Sequence, residues 1–236
     1  MNSLTPRPVL LALATLLIIG AIVFIEFRFG RAGSDDTQAQ VDPTPAAQTS
    51  EPATEPGPEV EDEAASREAE REDAAERITR KEAEFPRANE IIAPTGFINT
   101  EGVSIGENLG EKVVLLEFWT YSCFNCQNVQ PYLNEWHEEY EDDGLLTIGV
   151  HRPEFEFEKD PASVQTAVEE ADIRYPVVLD NNSATWDAYD NRYWPARYLI
   201  DADGFIRYQH FGEGAYEENE EEIQKLLKEK DQVLSL

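Results

Sequence analysis

Hydrophobic and polar positions divide the chain into three stretches. Residues 9–25 run without a charge, and only Thr15 among them is polar; Phe24, Phe27 and Phe29 at its end could extend it to a full span, past Glu26 and Arg28. Such a run, too long for a typical signal core and at the short edge for a span, predicts an uncleaved signal anchor over residues 1–30. Residues 31–58 are rich in Pro, Thr, Ala, Gln and acid and predict a disordered linker. Residues 59–84 have high helix propensity and place Glu63–Arg67, Asp73–Arg77 and Glu76–Arg80 at i,i+4, yet lack an apolar stripe. A helical spacer is one reading of them; a charged, disordered tether is the preferred one, so that 31–85 form a linker and 86–236 the folded domain.

Within that domain the periodicities change. "GFINTEGVSIGENLGEKV" reads as short β pieces in a hairpin-type lead-in. "KVVLLEFWT" is a continuous apolar run, the mark of a buried central strand. A helix is predicted from about Cys123 to Tyr140, with Val129, Leu133, Trp136 and Tyr140 at helical spacing and Pro131 kinking it. "LLTIGV" is a second buried strand. "DPASVQTAVEEAD" opens a helix with Asp160 as cap and Pro161 in its first turn. "PVVLD" is a short strand and "SATWDAYDN" a short capped helix. "ARYLID" and "GFIRYQHFG" form a hairpin over Asp201–Gly204, and the last helix carries acid first and lysine later. Alternating strands and helices predict an α/β domain: a central mixed sheet, helices on both faces, an antiparallel hairpin at one edge.

Charge narrows the possible partners. The formal net charge is -29, and residues 86–236 alone carry 31 acidic against 11 basic side chains. That surface repels phosphate backbones, so nucleic acid is excluded as a partner. Two readings of the acidity stand side by side, a salt-tolerant hydrated surface and ordinary solubilisation.

Candidate chemistry concentrates in "EFWTYSCFNCQNVQP", which holds both cysteines of the chain, Cys123 and Cys126. A zinc site wants four ligands, and none of His137, His151 and His210 stands at a ligand-like spacing from the pair. A purely structural bridge would close a tiny loop and stabilise little. A redox pair fits the setting better. Cys123 falls where a buried strand gives way to a helix, and free N–H groups with the positive end of the helix dipole favour a thiolate there. Cys126 lies one turn on, placed to resolve a mixed disulfide.

The same residues resemble the thioredoxin superfamily: an apolar strand, acidic–Phe–Trp, Cys-x-x-Cys, then Pro131 five residues after the second cysteine. "YWPARYLIDADGFIRYQHFGEG" resembles the family's cis-proline segment and following hairpin. "WTYSCFNCQNVQPYL", "GVHRPEFEFE" and "YWPARYLIDADG" are similar to the membrane-tethered TlpA/ResA-like branch, and within it to the thioredoxin-like domain of DipZ-type cytochrome-biogenesis proteins. The resemblance covers about residues 90–230. It implies a thioredoxin-like fold, with Cys123 as nucleophile and Cys126 as resolving thiol. Glu117 would be a buried acid with a raised pKa that relays a proton; the plainer alternative is pairing with a buried Lys or Arg. Trp119 would wall the site. Pro195 matches the cis-proline, and Trp194, Pro195 and Tyr121 would shape the peptide groove. Trp194 stands where many thioredoxins carry a small polar residue; from residue chemistry alone most X-Pro bonds are trans.

The resulting expectation is a monomeric, membrane-tethered, extracytoplasmic thiol–disulfide oxidoreductase. It reduces protein disulfides and needs no metal and no cofactor beyond the Cys123–Cys126 couple. A membrane thiol electron donor recharges it. Three alternatives remain: a redoxin-type peroxidase, since Thr120 stands three residues before Cys123; a copper-chaperone-like domain using a histidine; and a binding domain with an inert bridge. His151 and His210 are expected to be hydrogen-bonded packing residues.

Overall fold

The computed structural model describes residues 58–234. The apolar run 9–25 and the Pro/Thr-rich stretch up to residue 57 lie outside the described residues. Helix α1 spans Pro58–Glu84, β1 Gly96–Ile98, β2 Val113–Trp119, α2 Phe124–Tyr140, β3 Leu145–His151 and α3 Pro161–Glu170. Strand β4 spans Val177–Leu179, α4 Ala184–Ala188, β5 Ala196–Ile200, β6 Ile206–Phe211 and α5 Tyr216–Leu234. The six strands form one sheet in the order β1-β4-β3-β2-β5-β6. Strands β2, β3 and β4 are parallel, while β5, β6 and β1 run antiparallel to their neighbours.

Strand β2 is the axis of the domain. All seven of its residues are buried, as a central strand covered on both faces must be. Alternation sends Val113, Leu115 and Trp119 to one face, where Val129, Leu133 and Trp136 of α2 and Ile223 and Leu227 of α5 meet them. Val114, Leu116 and Phe118 go to the other, against Ile148, Trp186, Tyr189 and Tyr198. Burying each such side chain contributes roughly 1.5–3 kcal/mol. The same alternation puts Glu117 on the face that α2 covers. Gly149 on β3 is required by packing: a Cβ there would lie 3.0 Å from Trp119 Nε1 and 3.1 Å from a Tyr175 ring carbon.

Two segments depart from the sequence expectation. Residues 58–84 are helical rather than a disordered tether, and the end of α1 is fixed to the domain. Lys81 Nζ lies 2.7 Å from Asp201, Asp203 and Glu229 carboxylate oxygens, and Arg77 makes two hydrogen bonds to Asp203 instead of pairing with Asp73. Burial opposes the Lys81 charge, but the three carboxylates outweigh it and raise its pKa. The docking face of α1 is charged, so no apolar stripe announces it. The second departure is residues 96–113, which form no hairpin. Strand β1 instead pairs with β4, with Gly96 opposite Leu179. Thr95 donates to Leu179 O through both its N–H and its hydroxyl, and Asn99 donates to the carbonyls of Ile173 and Tyr175.

The short helix α4 is capped from a distance. Ser183 sits at its N-cap with φ 62° and makes no side-chain cap; Asp180 accepts from the N–H groups of Thr185 and Trp186 instead. Asp160 caps α3 as expected, accepting from the Ser163 N–H at 3.1 Å.

Candidate active site

Cys123 is the N-cap of α2, and the Cys126 N–H donates to its sulfur at 3.4 Å. Cys123 is half-buried and Cys126 buried. A hydrogen bond from the Cys126 thiol is the largest influence on Cys123. Together with the N–H groups of Cys126 and Asn125 it outweighs burial and brings the Cys123 pKa down to about 7. Burial and the neighbouring Cys123 sulfur push the Cys126 thiol strongly upward. One sulfur is therefore ionised near neutrality while its mate holds its proton, the asymmetry that sequential attack requires.

Glu117 and Arg197 face each other directly across β2 and β5, both fully buried, with Arg197 Nε 3.2 Å from Glu117 Oε2. The contact lacks hydrogen-bond alignment, and among the described residues neither Glu117 oxygen has a hydrogen-bond partner. Burial raises the Glu117 pKa to about 7, against the pull of Arg197. The charges of Cys123 and Glu117 oppose one another, and Glu117 likewise disfavours the Cys126 thiolate. Proton-titrating acid and ion-pair partner are thus not exclusive here.

Trp119 and Tyr121, with Cys126, Gln127, Gln130 and Ala167, line a cleft of about 310 Å³ between α2 and α3. The Trp194–Pro195 bond is cis, as the resemblance implied and residue chemistry alone did not. The Trp194 indole donates to Arg152 O at 3.1 Å and packs on Trp186 with ring centroids 4.4 Å apart. The Arg152 guanidinium lies 4.9 Å from both indole rings. Trp194 thus packs beside the site rather than leaving the open space a small residue would.

A second buried carboxylate was not singled out by sequence reasoning. Glu158 is fully buried and accepts from the Ser122 hydroxyl at 2.6 Å and from the N–H groups of Glu154 and Phe155 at 2.6 and 2.8 Å. Burial works against its charge, but these bonds and one from Thr120 prevail and lower its pKa. Glu158 therefore ties the loop after β3 to the turn that carries Cys123. The signal was absent because Glu154, Glu156 and Glu158 alternate identically with phenylalanine. His151, expected as a packing residue, is fully buried between the Trp119 and Tyr121 rings, with Nε2 3.3 Å from the Thr120 hydroxyl. Burial lowers its pKa to about 4, so it is neutral at ordinary pH. His210 is half-exposed, its Nε2 3.4 Å from Glu213 O. Among the described residues no group of three His, Cys, Asp or Glu side chains is placed to hold a metal ion.

This arrangement of thiols, buried acid and cis-proline on a mixed sheet defines a thioredoxin-like domain. The AhpC/TSA family model matches residues 87–209, and the chain belongs to that family. Over 143 residues it is 49% identical to the Mycobacterium bovis protein DipZ, covering 59% of this chain and 20% of DipZ. It is 32% identical over 140 residues to the Bacillus subtilis thiol-disulfide oxidoreductase YkuV, covering 59% of this chain and 93% of YkuV. Among solved structures, a thioredoxin-like protein in its oxidised form superposes with a TM-score of 0.56 at 30% identity, over 61% of this chain and 96% of that one. The match spans only a fifth of DipZ, so it speaks to this domain alone.

Proposed function

We propose that the protein is a thiol–disulfide oxidoreductase that reduces disulfides in polypeptides outside the cytoplasm. The observation that carries this reading is the pair of free thiols at the start of α2, Cys123 half-buried at the helix N-cap under the Cys126 N–H and Cys126 buried one turn on. Cys123 thiolate attacks one sulfur of the substrate disulfide. That bond breaks, a mixed disulfide forms, and the first substrate thiolate leaves with the electron pair and takes up a proton. Cys126 gives its proton to Glu117 and attacks Cys123; the second substrate thiolate leaves and is protonated. Two electrons have moved, and the enzyme holds a Cys123–Cys126 disulfide. Cis-Pro195, Trp194, Tyr121 and Trp119 border the groove in which the substrate chain would lie.

Direction follows from the same asymmetry. A strongly stabilised thiolate favours the reduced enzyme and makes an oxidant. Here Cys123 is lowered only to about 7, with burial and the Glu154 charge opposing its ionisation, which supports a reductant. A membrane thiol donor would return it to the dithiol. The apolar run 9–25 supports tethering, whereas among the described residues no helix is long and apolar enough to cross a membrane. The peroxidase alternative leaned on Thr120, whose hydroxyl faces His151 and Glu158 instead. Insulin-disulfide reduction, with Cys123→Ser as control, tests the proposal. Turnover by the wild type alone is expected, and equal rates in both proteins reject it.

A further inference from the structure

The end of the domain that carries Cys123 gathers most of the exposed aromatic side chains among the described residues. Of the large exposed hydrophobic side chains, Phe124, Phe155, Phe157, Tyr193 and Phe211 all lie there. Phe124 sits between the two cysteines and is 70% exposed. Phe155 and Phe157 stack at 5.6 Å on the loop after β3, and the Tyr121 ring meets Phe157 at 6.2 Å. Tyr193 and Phe211 meet at 5.9 Å; the first lies two residues before cis-Pro195, and the other ends β6 opposite Ala196. Strand β3 lies on one side of β2, and β5 and β6 on the other. The two aromatic pairs therefore flank the end of β2, from which Cys123 emerges.

The loop after β3 is braced by its own hydrogen bonds. The buried Glu158 carboxylate fixes the backbone of Glu154 and Phe155, and the Tyr121 hydroxyl donates to Phe157 O at 3.3 Å. A rigid apolar display beside a reactive sulfur marks an interaction surface. Its electrostatic frame is acidic. Glu154 bears on Cys123 itself, Glu170 borders the adjoining cleft, and neither has an ion-pair partner among the described residues; Glu213 accepts from Asn128. The nearby cations are engaged: Arg152 between two indoles, Lys159 with Glu156, Arg192 with Asp190.

We infer that the aromatic pairs Phe155–Phe157 and Tyr193–Phe211, framed by Glu154, Glu170 and Glu213, receive a cationic polypeptide segment with apolar residues on both sides of its disulfide cysteine. This rests on the disulfide exchange proposed above and names its substrate class. Charge complementarity selects the occupant: a domain with 31 acidic and 11 basic residues repels an acidic partner and a second copy of itself.

The test uses the reduced full-length chain with three peptide disulfides of equal length and 2-hydroxyethyl disulfide. The cysteines are flanked by Leu and Lys, by Leu and Glu, or by Ser and Lys. The Leu/Lys peptide should exceed each of the others about tenfold in the single-turnover second-order rate constant at low salt. High salt should shrink the advantage over Leu/Glu but not that over Ser/Lys. Phe155→Ser with Phe157→Ser should lower the preference for Leu over Ser, and Glu154→Gln the preference for Lys over Glu. Equal rates for the three peptides overturn the inference. So do preferences that survive both variants, or a concentration-dependent dimer that is lost in the phenylalanine variant. A wild type that reduces none of the four compounds rejects the exchange chemistry itself; one that reduces all four without preference rejects only the surface.

Discussion

Replacing Glu117 by glutamine removes one titrating group from the interior, and its effect on stability is set by linkage. In the folded domain burial holds the Glu117 pKa up at about 7, against an ordinary value of 4.5. The folded state thus keeps a proton that the unfolded chain gives up between these values. Stability from this group is fully present below the unfolded pKa and is lost as pH rises through the folded one. The difference of about 2.5 units at about 1.4 kcal/mol each amounts to roughly 3 kcal/mol lost between about pH 4 and pH 8. The Glu117→Gln variant has no such slope. Below its folded pKa the wild-type side chain is as neutral as glutamine, so Arg197 faces no carboxylate in either protein, and the pull of Arg197 on the ionised form is already contained in the wild-type slope. Urea unfolding of both reduced proteins across that interval should show the stability gap moving by about 3 kcal/mol in favour of the variant as pH rises. A gap that stays constant with pH would show that the Glu117 pKa is not raised on folding, leaving a carboxylate too weakly basic to take the Cys126 proton.

Three further outcomes follow from the geometry. Cys126→Ala deletes the strongest hydrogen bond to Cys123, so the Cys123 pKa should rise from about 7 towards 9, read from thiolate ultraviolet absorbance; an unchanged value contradicts the account. Lys81→Ala should destabilise the docking of α1 by about 2 kcal/mol, less than the roughly 3–5 for a broken buried pair, because Asp203 keeps Arg77 and Glu229 keeps Arg207. Faster amide exchange over residues 71–84 would register this, and unaltered exchange would show that the ion pairs do not hold the helix. Glu158→Gln should cost about 2 kcal/mol at neutral pH. Because the folded pKa of Glu158 is lowered, that penalty should fade as acid protonates the wild-type carboxylate; a penalty independent of pH refutes a charged Glu158.

Much of the site was legible because it is local. The run from Lys112 to Thr120 carries the mark of a buried central strand, and the cysteines follow where that strand gives way to a helix. Glu117 as a buried acid came from the family resemblance, and the alternation along β2 puts it on the face that α2 covers. What stayed hidden depends on pairing distant in sequence. Arg197 meets Glu117 only through the β2–β5 register, which no periodicity encodes. Lys81 finds Asp201 120 positions away, and a charged docking face resembles a solvated one until its partners are known. The partner of β1 was missed for the same reason: β4 follows some 80 residues later. Glu158 differs from Glu154 and Glu156 only in pointing inward, and a short helical turn after an irregular loop has no pattern to show it.

Everything proposed for this protein rests on Cys123 and Cys126 forming a working, reducing couple. Its most direct test is a redox titration of the purified protein against dithiol buffers, following both thiols. One reversible two-electron transition is expected, with a potential nearer the roughly −270 mV of a thioredoxin than the roughly −120 mV of a strong oxidant. A couple at the oxidising end, or thiols that never form a reversible bond with each other, would contradict it.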